Sequence, residues 1–144
     1  MIVQPLVLPG LAYVLEHLWY ISAIELERLG LNRETAWARF TRYMTMGPSK
    51  MLIADNVPVV AVGKVFEGDE WFTWFLASDK FEDHGKAVTR EVRKLVREHD
   101  GLLRIYSLCV HKDLRKWLQV LGFVPDEWEG KSPAGWPIYR FMKD

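Results

Sequence analysis

Cysteine is almost absent from these 144 residues: the lone Cys109 excludes an intramolecular disulfide, and no Cys/His cluster has the spacing of a zinc site. Net charge is absent as well. Nineteen acidic side chains balance 19 basic ones, which excludes a whole-molecule field that would draw in nucleic acid. Nor is there a long uninterrupted apolar run. The opening stretch "MIVQPLVLPGLAYVLEHLWYISAI" has no basic leader region and is broken by Pro5, Pro9 and Glu16-His17. It therefore reads as part of a soluble, cytosolic fold rather than as a signal or membrane segment. Internal repeats and low-complexity tracts are missing too, and the length suits one domain, 1–144, with a core of its own.

Aromatic residues are what the chain has in quantity: seven Trp, seven Phe and five Tyr. They predict a bulky core or an aromatic-lined groove. Residues 2–8 form a short strand, and Pro9-Gly10 punctuates the chain. From Leu11 the apolar positions Val14, Leu15, Leu18, Ile21, Leu26 and Leu29 fall at helical spacing as far as Gly30, predicting one helix. Asn32 caps a second, with Trp37, Phe40 and Met44 on one face and Gly47-Pro48 at its end, and the two are expected to pair as a hairpin.

The pattern then changes to strands. "KMLIAD" and "VPVVAVGKVF" flank a tight turn at Asp55-Asn56, and "EGDE" (67–70) leads into "WFTWFLAS". A helix over 86–99 buries Val88, Val92, Leu95 and Val96. "LLRIYSLCV" is a further strand, "DLRKWLQVLGF" a short amphipathic helix, and "VPDEWEG" and "WPIYRFMK" are weaker strands around a loop at Lys131-Ser132-Pro133. The predicted order is β-α-α-β-β-β-α-β-α-β-β, an α/β (α+β) fold with a mixed, mainly antiparallel sheet.

Several residues invite a chemical reading beside a structural one. Ser107, Cys109 and His111 alternate onto one face of a predicted strand, so a Cys-His pair stands against a core cysteine. Arg90, Arg93, Lys94 and Arg97 are an anion-binding run or the solvated face of an amphipathic helix. Trp71, Phe72, Trp74 and Phe75 occupy both faces of one strand. "DHGKAV" (83–88) is a simple helix entrance, or a row of backbone N–H groups suited to an anionic ligand.

The element order resembles the GNAT superfamily of acyl-CoA-dependent N-acyltransferases over essentially the whole chain. In that family the loop after the fourth strand reads Arg or Gln, two residues, Gly, one residue, then Gly or Ala. His84, Gly85, Lys86, Ala87, Val88 and Thr89 stand at those positions here, with His84 for the Arg/Gln, Ala87 for the Gly and Thr89 at the last place. A second stretch, His111, Leu114, Trp117, Leu118 and "LGF" (121–123), falls in register with the family segment after the fifth strand. Leu118 stands where a tyrosine often protonates the departing thiolate.

The resemblance implies acetyl-CoA or CoA as cofactor, held by Leu76, Ala77, Ser78, His84, Gly85, Lys86, Ala87, Val88, Thr89 and Arg90. It implies proton handling by His111, near the point where two strands splay, or by Glu70, at the start of the strand that pairs with the pantetheine arm. Glu16, His17 and Glu25 lie on the helix where the family builds its acceptor pocket; Glu16 and Glu25, nine residues apart, do not share a face.

Ser78-Asp79, Gly85-Lys86 and the basic helix also resemble a small GNAT-like branch encoded by tailed bacteriophages. That resemblance implies a viral protein in a bacterial host cytoplasm, acting on a host protein or small molecule, or associated with the virion. Two functions follow: an acyltransferase acting on an amine, or a GNAT-shaped protein without catalysis that binds a host protein. The expected partners are acyl-CoA, a bacterial host protein and a second copy of the chain as a homodimer; nucleic acid and membrane are not expected.

Overall fold

The computed structural model describes residues 1–108 and 111–144. Seven strands carry the architecture: β1 (Ile2–Pro5), β2 (Ser49–Ala54), β3 (Val57–Glu67), β4 (Glu70–Ala77), β5 (Leu103–Ser107), β6 (Val124–Lys131) and β7 (Pro137–Lys143). They form one sheet in the order β1-β2-β3-β4-β5-β7-β6, and every pairing is antiparallel except that of β4 with β5. The β2–β3 and β3–β4 turns hold two consecutive residues in the left-handed region, Asp55 and Asn56 (φ 53° and 62°) and Gly68 and Asp69 (both 61°). Their twist matches that of the strands they join.

Five helices cover the two faces among the described residues: α1 (Leu8–Glu16), α2 (Tyr20–Arg28), α3 (Arg33–Tyr43), α4 (Gly85–Glu98) and α5 (Lys112–Val120). On one face, Leu11, Val14 and Leu15 of α1, Leu26 of α2 and Phe40 of α3 meet Met51, Ala61, Val65, Trp74 and Leu76. On the other, Val88, Val92 and Val96 of α4 and Leu118 of α5 meet Leu52, Val60, Val62, Leu103, Ile105, Phe123 and Phe141. The middle of the sheet is thus buried between two layers of helix, while the edge strands β1 and β6 are largely exposed.

The cap predicted at Asn32 is present and reciprocal: the Thr35 N–H donates to Asn32 Oδ1 at 2.9 Å, and the Asn32 N–H to Thr35 Oγ1 at 2.8 Å. The helix predicted from Leu11 to Gly30 is instead two, starting at Leu8 and broken over His17–Trp19. The break is made by the sheet, because this linker pairs with the end of β4. Leu18 bridges Ser78, the Trp19 N–H donates to the Ala77 carbonyl at 2.9 Å, and the Asp79 N–H to the His17 carbonyl at 2.7 Å. Helical periodicity continues through the linker, but those backbone groups have longer-range partners.

Candidate active site

Strands β4 and β5 pair in the sheet at Phe72–Arg104 and Thr73–Ile105. Beyond those pairs they part, and the far end of β4 takes other partners: Ala77 donates its N–H to Ser22 Oγ at 3.1 Å and its carbonyl accepts from Trp19. A cavity of about 380 Å³ occupies the gap. It is walled by α2 and α3 on one side of the sheet, α5 on the other, and the facing stretches Phe72–Leu76 and Ile105–Leu108.

Nine of its described lining residues are aromatic. The Phe75 and Trp117 ring centroids are 4.7 Å apart, those of Phe40 and Trp74 5.2 Å, and those of Tyr106 and Trp128 5.4 Å. The Trp74 indole lies flat on Gly63, where a Cβ would come within 2.7 Å of the ring, so only glycine admits it. Trp117 is held by a hydrogen bond from its Nε1–H to Thr89 Oγ1 at 2.8 Å, and the Thr89 hydroxyl donates to the Gly85 carbonyl at 2.6 Å. These two bonds tie α5 to the first turn of α4 beside the cavity.

Two polar arrangements meet the gap. Glu25, on the cavity face of α2, accepts a hydrogen bond from the Ser107 hydroxyl at 2.7 Å, joining α2 to the end of β5. Outside the lining, Glu70 pairs with the Arg104 guanidinium and accepts from the Tyr106 hydroxyl. Asp126 Oδ2 continues this chain, 3.4 Å from Arg104 Nε and 2.6 Å from Arg140 Nε. Burial, then the bond to Glu70, pushes the Tyr106 phenol above its usual range, so it stays protonated and donating near neutrality.

No family model matches the sequence, and no curated protein matches it. Solved structures do. An aminoglycoside 6′-acetyltransferase of type Ii superposes with a TM-score of 0.67 at 14% identity, over 99% of this chain and 96% of that one. A ribosomal-protein-alanine N-acetyltransferase from Brucella melitensis gives 0.66 at 11%, over 99% of each. An aminoglycoside acetyltransferase AAC(6')-Ib, crystallised with coenzyme A, gives 0.66 at 13%, over 98% of this chain and 92% of that one.

The chain has the GNAT fold.

Within that fold the expected site residues are distributed unevenly. Leu76 lines the cavity, but both backbone groups of Ala77 are taken, and Ser78 is tied to β3 and its turn, its N–H donating to the Val59 carbonyl at 2.8 Å and its hydroxyl to that of Pro58 at 2.9 Å. His84 ends a 3-10 turn (Glu82–His84), its Nε2 3.7 Å from Asp55 Oδ2. Gly85, Lys86, Ala87, Val88, Thr89 and Arg90 open α4, and no side chain caps it, so first-turn N–H groups there have no side-chain acceptor. Gly85 has an ordinary helical φ of −53°, so its conformation does not require glycine. Val88 points into the core, whereas Lys86 and Arg90 are exposed, as are Arg93, Lys94 and Arg97.

His111 caps α5, its Nδ1 accepting the Asp113 N–H at 3.2 Å, with the Tyr20 ring 6.4 Å away; neither it nor Glu70 lines the cavity. Leu118 is buried in the core and also reaches the cavity wall. The predicted strand "LLRIYSLCV" ends at Ser107, and Cys109 lies outside the described residues. Sequence reasoning placed Glu25 in the acceptor region beside Glu16 without choosing between them. The fold sends Glu16 outward to Arg33 and turns Glu25 inward. The nine-residue spacing signalled the split; which carboxylate faced inward depended on the break after Glu16.

Proposed function

We propose that this protein is an acyl-CoA-dependent N-acyltransferase, with acetyl-CoA the donor implied by the GNAT resemblance. The observation that carries this reading is the parting of β4 and β5 after two residue pairs, which opens a cavity through the sheet beside the uncapped start of α4. An anionic pyrophosphate suits the first-turn N–H groups and the helix dipole, with the Lys86 and Arg90 side chains adding charge. When bound, acetyl-CoA supplies a thioester carbonyl that an amine attacks, the N–C bond forming as the C–S bond breaks.

The chain's own residues then have separable tasks. The α2–α3 wall and Trp128 enclose the acceptor side, and the rings of Phe75 and Trp117 exclude water from the gap. Glu25 takes the proton that leaves the attacking nitrogen, since it lines the cavity whereas Glu70 lies outside the lining. His111 remains the second candidate, through Nε2, because Nδ1 is engaged in the cap. The Leu118 side chain carries no proton for the leaving sulfur, which takes one from solvent.

The commitment of the Ala77 backbone to Ser22 and Trp19 favours the other reading, a GNAT-shaped protein that binds a partner without catalysis. Short motifs shared with the phage branch support a bacterial-host setting for either. Calorimetric titration with acetyl-CoA and CoA separates the two. Saturable binding that weakens in Lys86→Glu supports the enzyme; no heat at millimolar ligand leaves the binding protein.

A further inference from the structure

We infer that the acceptor is a small amine that also carries a carboxylate, and that the Arg39 guanidinium on α3 binds that carboxylate. This rests on the acyltransferase reading and names the substrate class of the same site. Arg39 is the one cation among the described residues that line the cavity. Four arginines among the described residues are half-buried: Arg28, Arg39, Arg104 and Arg140. Arg28 donates to the Leu108 carbonyl at 2.8 Å and lies over the Trp136 ring, Arg104 pairs with Glu70 and Asp126, and Arg140 pairs with Asp126. The Arg39 guanidinium alone of the four has no hydrogen bond or ion pair among the described residues.

A guanidinium drawn part-way out of water without a partner costs free energy, and an anion on a ligand offsets that cost. Its planar fork of donors matches the two oxygens of a carboxylate. The helix sets Arg39 one turn before Tyr43, on the same face, and the Tyr43 ring meets those of Phe72 and Trp74 at centroid distances of 5.5 and 6.3 Å. Burial holds the Tyr43 phenol above its usual range against the opposing Arg39 charge, so near neutrality it stays a protonated donor on that face. The Trp74 indole N–H is unpartnered as well, but it lies over Gly63 and is closed to solvent, so the anion falls to Arg39. A cavity of about 380 Å³ suits a small molecule. A polyamine or an aminoglycoside would instead bring like charge to the guanidinium.

Binding is measured without any acyl donor, by quenching of intrinsic tryptophan fluorescence, since Trp19, Trp74, Trp117 and Trp128 line the cavity. The probes are phenylalanine, its carboxylate-free analogue phenylalaninol, spermidine and an alanyl-alanyl-phenylalanine tripeptide. Phenylalanine is expected to bind at least about tenfold more tightly than phenylalaninol, as a hydrogen-bonded charge pair gives, and Arg39→Gln to remove that preference by weakening phenylalanine alone. Unchanged phenylalaninol binding and an unchanged urea midpoint in the variant report an intact cavity, because no internal contact of Arg39 is lost. Absence of saturable phenylalanine binding, equal binding of phenylalanine and phenylalaninol, a preference that survives in Arg39→Gln, or tighter binding of spermidine or the tripeptide overturns the inference. Thiol release from acetyl-CoA is followed in parallel: binding of phenylalanine without release defeats the acyltransferase reading alone, whereas release with spermidine or the tripeptide and none with phenylalanine defeats this inference alone.

Discussion

Arg104 is the residue on which the polar side of the sheet depends. Its guanidinium lies between Glu70 and Asp126, and its side chain is only 22% exposed. Arg104→Leu removes the cation from two partly buried carboxylates and is expected to cost about 3 kcal/mol, read as a lower urea midpoint at unchanged slope. A loss below about 1 kcal/mol would mean that solvent screens the chain of charges as it does at a surface. At this scale the sequence was least informative. Glu16, Glu25 and Glu70 are equivalent as letters, yet one pairs outward with Arg33, one faces the cavity and one is neutralised by an arginine 34 positions later. What separates them is contact with residues remote in sequence, which no local pattern encodes.

Elements were more legible. Helical spacing placed α3, α4 and α5, alternation placed the strands, and Asn32 marked the start of α3, so Asn32→Ala is expected to cost about 1 kcal/mol in thermal or urea unfolding. The break between α1 and α2 was not legible, because its hydrogen bonds join residues 17–22 to residues 77–79. Ser22→Ala tests that junction. It strands the fully buried Ala77 N–H and is expected to cost about 1–2 kcal/mol, with the surrounding amides exchanging faster with deuterium.

The entrance of α4 allows a sharper separation of stability from binding. A Cβ on Gly85 meets nothing within 4 Å and its φ suits any residue, so Gly85→Ala is expected to raise stability by about 0.5 kcal/mol by restricting the unfolded chain. If the α4 entrance cradles a pyrophosphate, the added methyl group nevertheless weakens CoA binding in the same preparation. Higher stability with unchanged CoA affinity would move the cofactor site away from this turn.

Across the whole molecule, His99 connects three parts of the chain. It caps the end of α4; its Nε2 is 3.2 Å from the Leu102 carbonyl, its Nδ1 is 2.9 Å from Lys64 Nζ on β3, and its own carbonyl accepts from Lys143 on β7. Burial, and then the Lys64 ammonium, hold its pKa below the usual histidine range. The unfolded chain therefore binds the proton more readily than the folded one. The stabilisation is complete above the unfolded value of about 6.5 and is lost as pH falls from there toward the depressed folded value. Melting temperatures measured between pH 8 and pH 5 (about one and a half units to either side of that value) are expected to fall on the acid side, and to fall less in His99→Gln. Parallel curves for the two proteins would remove His99 from the acid response.

The sequence by itself determined the seven strands, helices α3 to α5 and the GNAT-like layout that follows from them, though not the division of the first helix, since periodicity, caps and turn residues act within a few positions. It also required many rings to be placed in a short chain, in a bulky core or an aromatic-lined groove, without choosing between them. Tertiary structure alone decided that β4 and β5 separate after two residue pairs, that the α1–α2 linker occupies the end of β4, and that Glu25 faces the gap. Each of these depends on backbone or side-chain groups meeting partners dozens of residues away, and such meetings exist only once the sheet has formed.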